Sequence, residues 1–76
     1  MAQLDITAVA RGRSLASSGA GRAIRLSAGI TLEELAQAVG TDQSVVSRWE
    51  RGMRRPRTDL AMRYAAVLDQ LIRSSR

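Results

Sequence analysis

An all-α fold, a compact bundle of four to five helices, is predicted by three observations on the 76-residue sequence. Apolar residues recur at helical spacing in two separate segments, 31–39 and 57–73. A Gly-Thr-Asp turn follows the first segment so closely that another helix has to begin at once. Cysteine is absent, so neither disulfides nor cysteine metal sites staple the chain. Cohesion has to come from packed aliphatic side chains, since Phe is absent and only Trp49 and Tyr64 are aromatic. An apolar content of 45% is enough for one such core. A chain of this size is one domain, burying roughly 60% of the surface it exposes when unfolded.

The first residues, MAQLDITAVARGRSLASS over 1–18, read as an extension, with the main domain over 19–76. Leu4, Ile6 and Ala8 alternate with polar residues, as in a short strand, whereas Val9, Leu15 and Ala16 suit an early helix. A third possibility is a flexible arm carrying Arg11 and Arg13 into a nucleic-acid minor groove. Disorder or an added helix is favoured, because a lone strand has no partner here except across a dimer. The next stretch, SSGAGRAIRLSAG over 17–29, marks a helix poorly. Gly19 and Gly21 each cost about 1 kcal/mol against Ala in a helix interior, unless close packing offsets it.

The clearest element is TLEELAQAV, 31–39, where Leu32, Leu35, Ala36 and Val39 form one apolar stripe. Thr31 and Glu34 make a T-x-x-E capping box at its start. Gly40 stands where a left-handed residue closes a helix, and Asp42 is a good N-cap for the next. Two helices joined by so few residues cross steeply, as a helix-turn-helix. On a wheel of roughly 100° per residue, Gln43, Ser44, Ser47, Arg48 and Arg51 share one arc of the second helix, 43–51. Val45, Val46 and Trp49 fall on the opposite arc. One face packs, and the other offers amide, hydroxyl and guanidinium groups, which read base edges in a major groove. An ordinary solvated face would more often carry Glu and Lys, and this arc has neither.

The last element spans 57–73, with Leu60, Tyr64, Val67, Leu68 and Leu71 in a stripe. Pro56 stands just before it, where it ends the loop without removing a helical hydrogen bond. Leu71 and Ile72 lie near the end of the chain, either packed back on the helix of 17–29 or available for a subunit contact.

Charge points in one direction. The formal net charge is +5, and all twelve basic residues are arginine. A GC-rich coding sequence could produce that preference, but not its placement. Arg48, Arg51, Arg54, Arg55, Arg57 and Arg63 cluster within 48–63, against only Glu50 and Asp59. Such clustering is the electrostatic footprint of a nucleic-acid binder. Without His or Cys, hydrolytic chemistry lacks its usual participants, so an enzyme is not expected, nor is a metal or cofactor. No apolar run approaches the roughly 20 residues that cross a bilayer. The N-terminus lacks the order of a secretory signal, so a cytoplasmic protein, bacterial or phage-encoded, is expected.

The segment RLSAGITLEELAQAVGTDQSVVSRWERGMRRPR, 25–57, resembles the Cro/C1-type (Xre-like) helix-turn-helix family. The marks are LAQAVG, a short turn, QSVVSRWERG, and a basic loop ending in Pro. The resemblance covers about residues 20–72 and implies a lambda-repressor-like helical domain that binds double-stranded operator DNA, usually as a homodimer. It implies that Gln43, Ser44 and Ser47 face bases and that Arg48 faces base or phosphate; Arg51 shares their arc on the wheel. Arg54, Arg55 and Arg57 then run along the DNA backbone, with Arg55 alternatively entering a narrow minor groove. It also implies a salt bridge between Arg25 and Glu50. Ala36 and Gly40 match the small contact residue and the turn glycine, and Val46 and Trp49 the buried positions of the recognition helix. Two departures stand out. Leu32 replaces a Gln that touches phosphate in many relatives, and Thr41 replaces a small aliphatic residue.

The expected function is a transcriptional regulator, repressor or Cro-like, reading DNA with 43–51 and clamping phosphates with 52–57. A chain of this length leaves no room for a separate ligand-sensing domain. Control by concentration, a partner or proteolysis is therefore expected. The alternative is a helical adaptor or antitoxin docking an acidic protein partner.

Overall fold

The structure, a computed structural model, describes residues 4–74. Its elements are α1 (Ile6–Ser18), α2 (Ala20–Ser27), α3 (Leu32–Val39), α4 (Gln43–Glu50) and α5 (Thr58–Ser74), with no strand among the described residues. The expected all-helical bundle is the one found.

Local chemistry explains most boundaries. Asp5 opens α1 by accepting the Thr7 hydroxyl at 2.6 Å and the Ala8 amide at 3.1 Å. The Thr7 bond, with that from Ala8, holds the Asp5 carboxyl below its ordinary value. Residues 6–18 are thus helical, so neither the strand nor the flexible arm describes them, while Met1 to Gln3 lie outside the described residues. Arg11 pairs with Asp69 of α5, and Arg13 donates to the Pro56 carbonyl.

Gly19, at φ +85°, ends α1 and starts α2 without an intervening loop. It is a junction, so the helix-interior penalty expected for it does not arise. Gly21 does sit inside α2, and its lack of a side chain has a use. A Cβ there would overlap the Tyr64 hydroxyl, as one on Gly12 of α1 would overlap the Ala61 carbonyl. Both glycines let their helices lie close on α5, which offsets their poor helix propensity.

The capping box at α3 is complete. Glu34 accepts the Thr31 amide at 2.9 Å, and Thr31 accepts the Glu34 amide at 3.0 Å. The backbone bond first, then the hydroxyl, lowers the Glu34 carboxyl below its ordinary value. This contribution to stability is therefore present above the ordinary glutamate value and is lost as pH falls through the lowered one. Gly40 closes α3 at φ +93°, and the Gly40 and Thr41 amides both donate to the Ala36 carbonyl at 2.8 and 2.9 Å. Asp42 occupies the N-cap position of α4, but its side chain makes no cap bond, contrary to expectation. Its backbone carbonyl accepts instead, from Val45 at 3.0 Å and Val46 at 3.2 Å.

The core gathers Ala16, Leu35, Ala36, Val39, Val46, Trp49, Tyr64 and Leu68. Trp49 and Tyr64 meet edge to face, with ring centroids 5.2 Å apart. That geometry is favoured by the aromatic quadrupoles, and it links the middle of α5 to the buried side of α4. Burial raises the Tyr64 hydroxyl to about 12, with the nearby Glu50 charge adding to the effect. The phenol therefore stays neutral throughout the ordinary pH range. Leu71 and Ile72 line a shallow apolar depression with Ala23, Ile24, Ser27 and Ala28, so they face α2.

Candidate nucleic-acid interface

Helix α4 is anchored from behind. Val46 and Trp49 are buried, Val45 is half-buried, and the rest of the helix turns outward. Gln43, Ser44 and Arg48 are exposed and Ser47 is half-buried, with Arg51 exposed just past the helix end. These five residues line one open groove, together with Leu32 and Asp42. Leu32 supplies an apolar wall there, where a polar side chain would have offered another donor. Arg51 bends back so that its Nε donates to the Ser47 carbonyl at 3.4 Å.

Behind Arg51 the chain leaves the helix through a tight turn. The Gly52 amide donates to the Trp49 carbonyl at 3.0 Å, and the Met53 amide to the Arg48 carbonyl at 2.9 Å. This double closure requires the left-handed backbone of Gly52, at φ +73°. The turn throws the loop back beside α4. Arg54, Arg55 and Arg57, all exposed, then line a second open groove with Thr41, Val45, Arg48, Trp49 and Leu60. Arg48 borders both grooves and makes them one continuous surface. Pro56 is buried at the root of the loop. Arg63 belongs to neither groove; its guanidinium lies over the turn at Gly40.

The acids of this region leave the surface strongly positive. Glu50 turns inward, where its two carboxylate oxygens accept from Arg25 Nε at 2.7 Å and from a terminal Arg25 nitrogen at 2.9 Å. Both side chains are buried, at 8% and 4% exposure. The remaining Arg25 nitrogen donates to the Ile30 carbonyl at 2.9 Å, so the whole fork is engaged. Hydrogen bonding to Glu50 raises Arg25 above its ordinary value despite the burial. Asp59 lies 4.0 Å from Arg57, but both side chains are largely exposed. A pair so placed is screened by water and does little to neutralise the loop. Among the described residues, no group of three or more acidic side chains could hold a metal ion.

A helix-turn-helix family model matches residues 22–71. The chain belongs to the Cro/C1-type helix-turn-helix family. No curated protein and no solved structure matches it. The family is one of DNA-binding domains of the transcription-regulator type, and the match runs from α2 into α5. Helix α1 precedes the matched region, yet it packs on α5 and reaches the basic loop through Arg13. That residue was missed as part of the loop's support. Its partner lies 43 residues away, so no local pattern could have revealed the pairing. No helix among the described residues is long and apolar enough to cross a membrane.

Proposed function

We propose that this protein is a sequence-specific regulator of transcription, repressor or Cro-like, that binds double-stranded operator DNA. Helix α4 enters the major groove, and the loop 52–57 follows the phosphate backbone. The observation that carries this reading is the composition of one continuous face. The two grooves that form it are lined by an amide, three hydroxyls and five arginines against one acid, Asp42, while Glu50 is buried in a pair with Arg25. The dimensions agree, since eight residues of helix span about 12 Å, close to the width of the major groove. Gln43 lies at the start of α4, where an amide can pair bidentately with adenine; Ser44, Ser47 and Arg48 follow on the same side. Arg51, Arg54, Arg55 and Arg57 are assigned to phosphates.

One copy is a small reading head. Three or four side chains, each worth about 1–3 kcal/mol of discrimination, single out one site among about 10⁶–10⁹ competitors only if every contact is near its best. Two copies on an inverted repeat double the contacts, so the proposal extends to a homodimer on DNA. A regulator of this kind works in the cytoplasm of a bacterium, including one that carries a phage genome.

Selection from a random duplex pool tests the reading. Enrichment of a short inverted repeat is expected, and retention no better than in a protein-free control contradicts it. On the enriched site, Gln43→Ala is expected to weaken binding by about 1–3 kcal/mol while random duplexes lose little. Equal losses on both would remove Gln43 from the base-reading set. Competition by an acidic polypeptide, without any preference among duplexes, would favour an adaptor or antitoxin.

A further inference from the structure

We infer that Arg13 is a positioning residue of the DNA interface, a brace through which α1 holds the basic loop in its binding shape. The inference rests on the proposed DNA reading for its effect on affinity, but not for the brace itself. The Arg13 Nε donates to the Pro56 carbonyl at 3.0 Å, and the side chain is half-buried. No backbone amide donates to that carbonyl among the described residues, since the first bond of α5 runs from Ala61 to Arg57. Pro56 lacks an amide proton, so its carbonyl is the one backbone group by which this residue can be tied. It is also the residue between Arg55 and Arg57. Fixing its carbonyl sets the direction in which the chain carries both guanidinium groups.

Further contacts support the same role. Arg13, Ala16 and Ser17 of α1 line a small depression with Gly52, Met53, Arg54, Arg55 and Pro56, so the loop faces this helix across it. Helix α1 is itself immobilised on α5, by Gly12 against the Ala61 backbone and by the Arg11–Asp69 pair. The brace thus runs from a rigid helix to a loop whose other end is held by the Gly52 turn. A loop held at both ends loses less freedom when it meets phosphates, so binding is tighter for the same contacts. The family match begins at residue 22, so this device is built from the part of the chain that precedes it.

Arg13→Met removes the donor and keeps the apolar stem, and two measurements on the full chain test it. Hydrogen exchange is expected to speed up at the Gly52 and Met53 amides and through the loop, while amides of α3 and the middle of α5 keep wild-type rates. Unchanged loop exchange, or a uniform increase over the whole domain, overturns the brace. Affinity for a labelled random-sequence DNA duplex is expected to fall about threefold to tenfold, a coupling of the size found between residues in contact. In a background carrying Arg54→Gln, Arg55→Gln and Arg57→Gln, the same change is expected to have no further effect. Equal losses in both backgrounds would make Arg13 an independent phosphate contact or a purely structural residue, and would overturn the positioning role. If the wild-type protein fails to bind the duplex, the DNA reading and the effect on affinity fall together. The exchange measurement still decides whether Arg13 holds the loop.

Discussion

Replacing Arg54, Arg55 and Arg57 together by Gln is expected to flatten the plot of log affinity against log salt by roughly 2–3 units per protomer. Each phosphate neutralised by an arginine releases condensed counterions from the duplex, and each contact adds nearly one unit to that slope. The three side chains are exposed, share one groove with Arg48, and are held by a loop closed at Gly52 and rooted at buried Pro56. Because phosphates carry no sequence, the loss is expected to be the same on an enriched site and on a random duplex. Titrations over a salt series measure both quantities. A triple variant with the wild-type slope would remove these arginines from the interface. A loss confined to the enriched site would place one of them, Arg55 foremost, in a narrow minor groove, where width is read as sequence.

The second large effect is on stability. Arg25→Ala is expected to cost about 3–5 kcal/mol, because it leaves the Glu50 carboxylate buried without its partner. The pair is bidentate and both side chains are more than nine-tenths buried. At roughly 0.05–0.15 kcal/mol per residue, a domain of 76 residues has about 4–11 kcal/mol in all, so the loss is a large share of it. The variant is therefore expected to melt far below the wild type or to be partly unfolded at room temperature. The double change Arg25→Met with Glu50→Leu removes both charges and is expected to recover much of the loss, which identifies the stranded charge as the cause. Thermal melts followed by circular dichroism decide this. An Arg25→Ala protein that melts with the wild type would contradict the buried geometry. Because Arg25 is raised above its ordinary value, its contribution is present below that value and is lost only as pH rises through the higher one. The pair therefore holds through the whole neutral range.

The same pair explains part of what the sequence made legible. Glu50 is an acid within a run of arginines, and its pairing with Arg25 was legible through the family resemblance, not through any local pattern. Helix α3 was equally plain, because Thr31, Glu34 and Gly40 are local signals that act within a few residues. The two faces of α4 followed from periodicity alone, with Val46 and Trp49 inside and Gln43, Ser44 and Arg48 outside. Other features depend on residues far apart in the chain and leave no local trace. Gly12 looks like a weak point in a helix until Ala61 is brought against it. Gly19 looks like a helix interior until its positive φ makes it a junction. Asp42 has the chemistry of a cap but makes no cap bond, and Arg13 could not be matched with Pro56 by any pattern of spacing. The N-terminal segment was the least readable part for this reason. Its apolar residues suit a strand as well as a helix, and the choice is settled by packing on α5, which is made last.

Amide NMR spectra of the labelled protein, recorded while a DNA duplex is added, test the central claim most directly. The changes are expected to concentrate at residues 43, 44, 47 and 48 and through 51–57, with the amides of the first half of α1 and the last half of α5 left in place. Absence of any change on adding duplex, or changes confined to the outer faces of α1 and α5, would contradict the assignment of α4 and its loop as the surface that meets DNA.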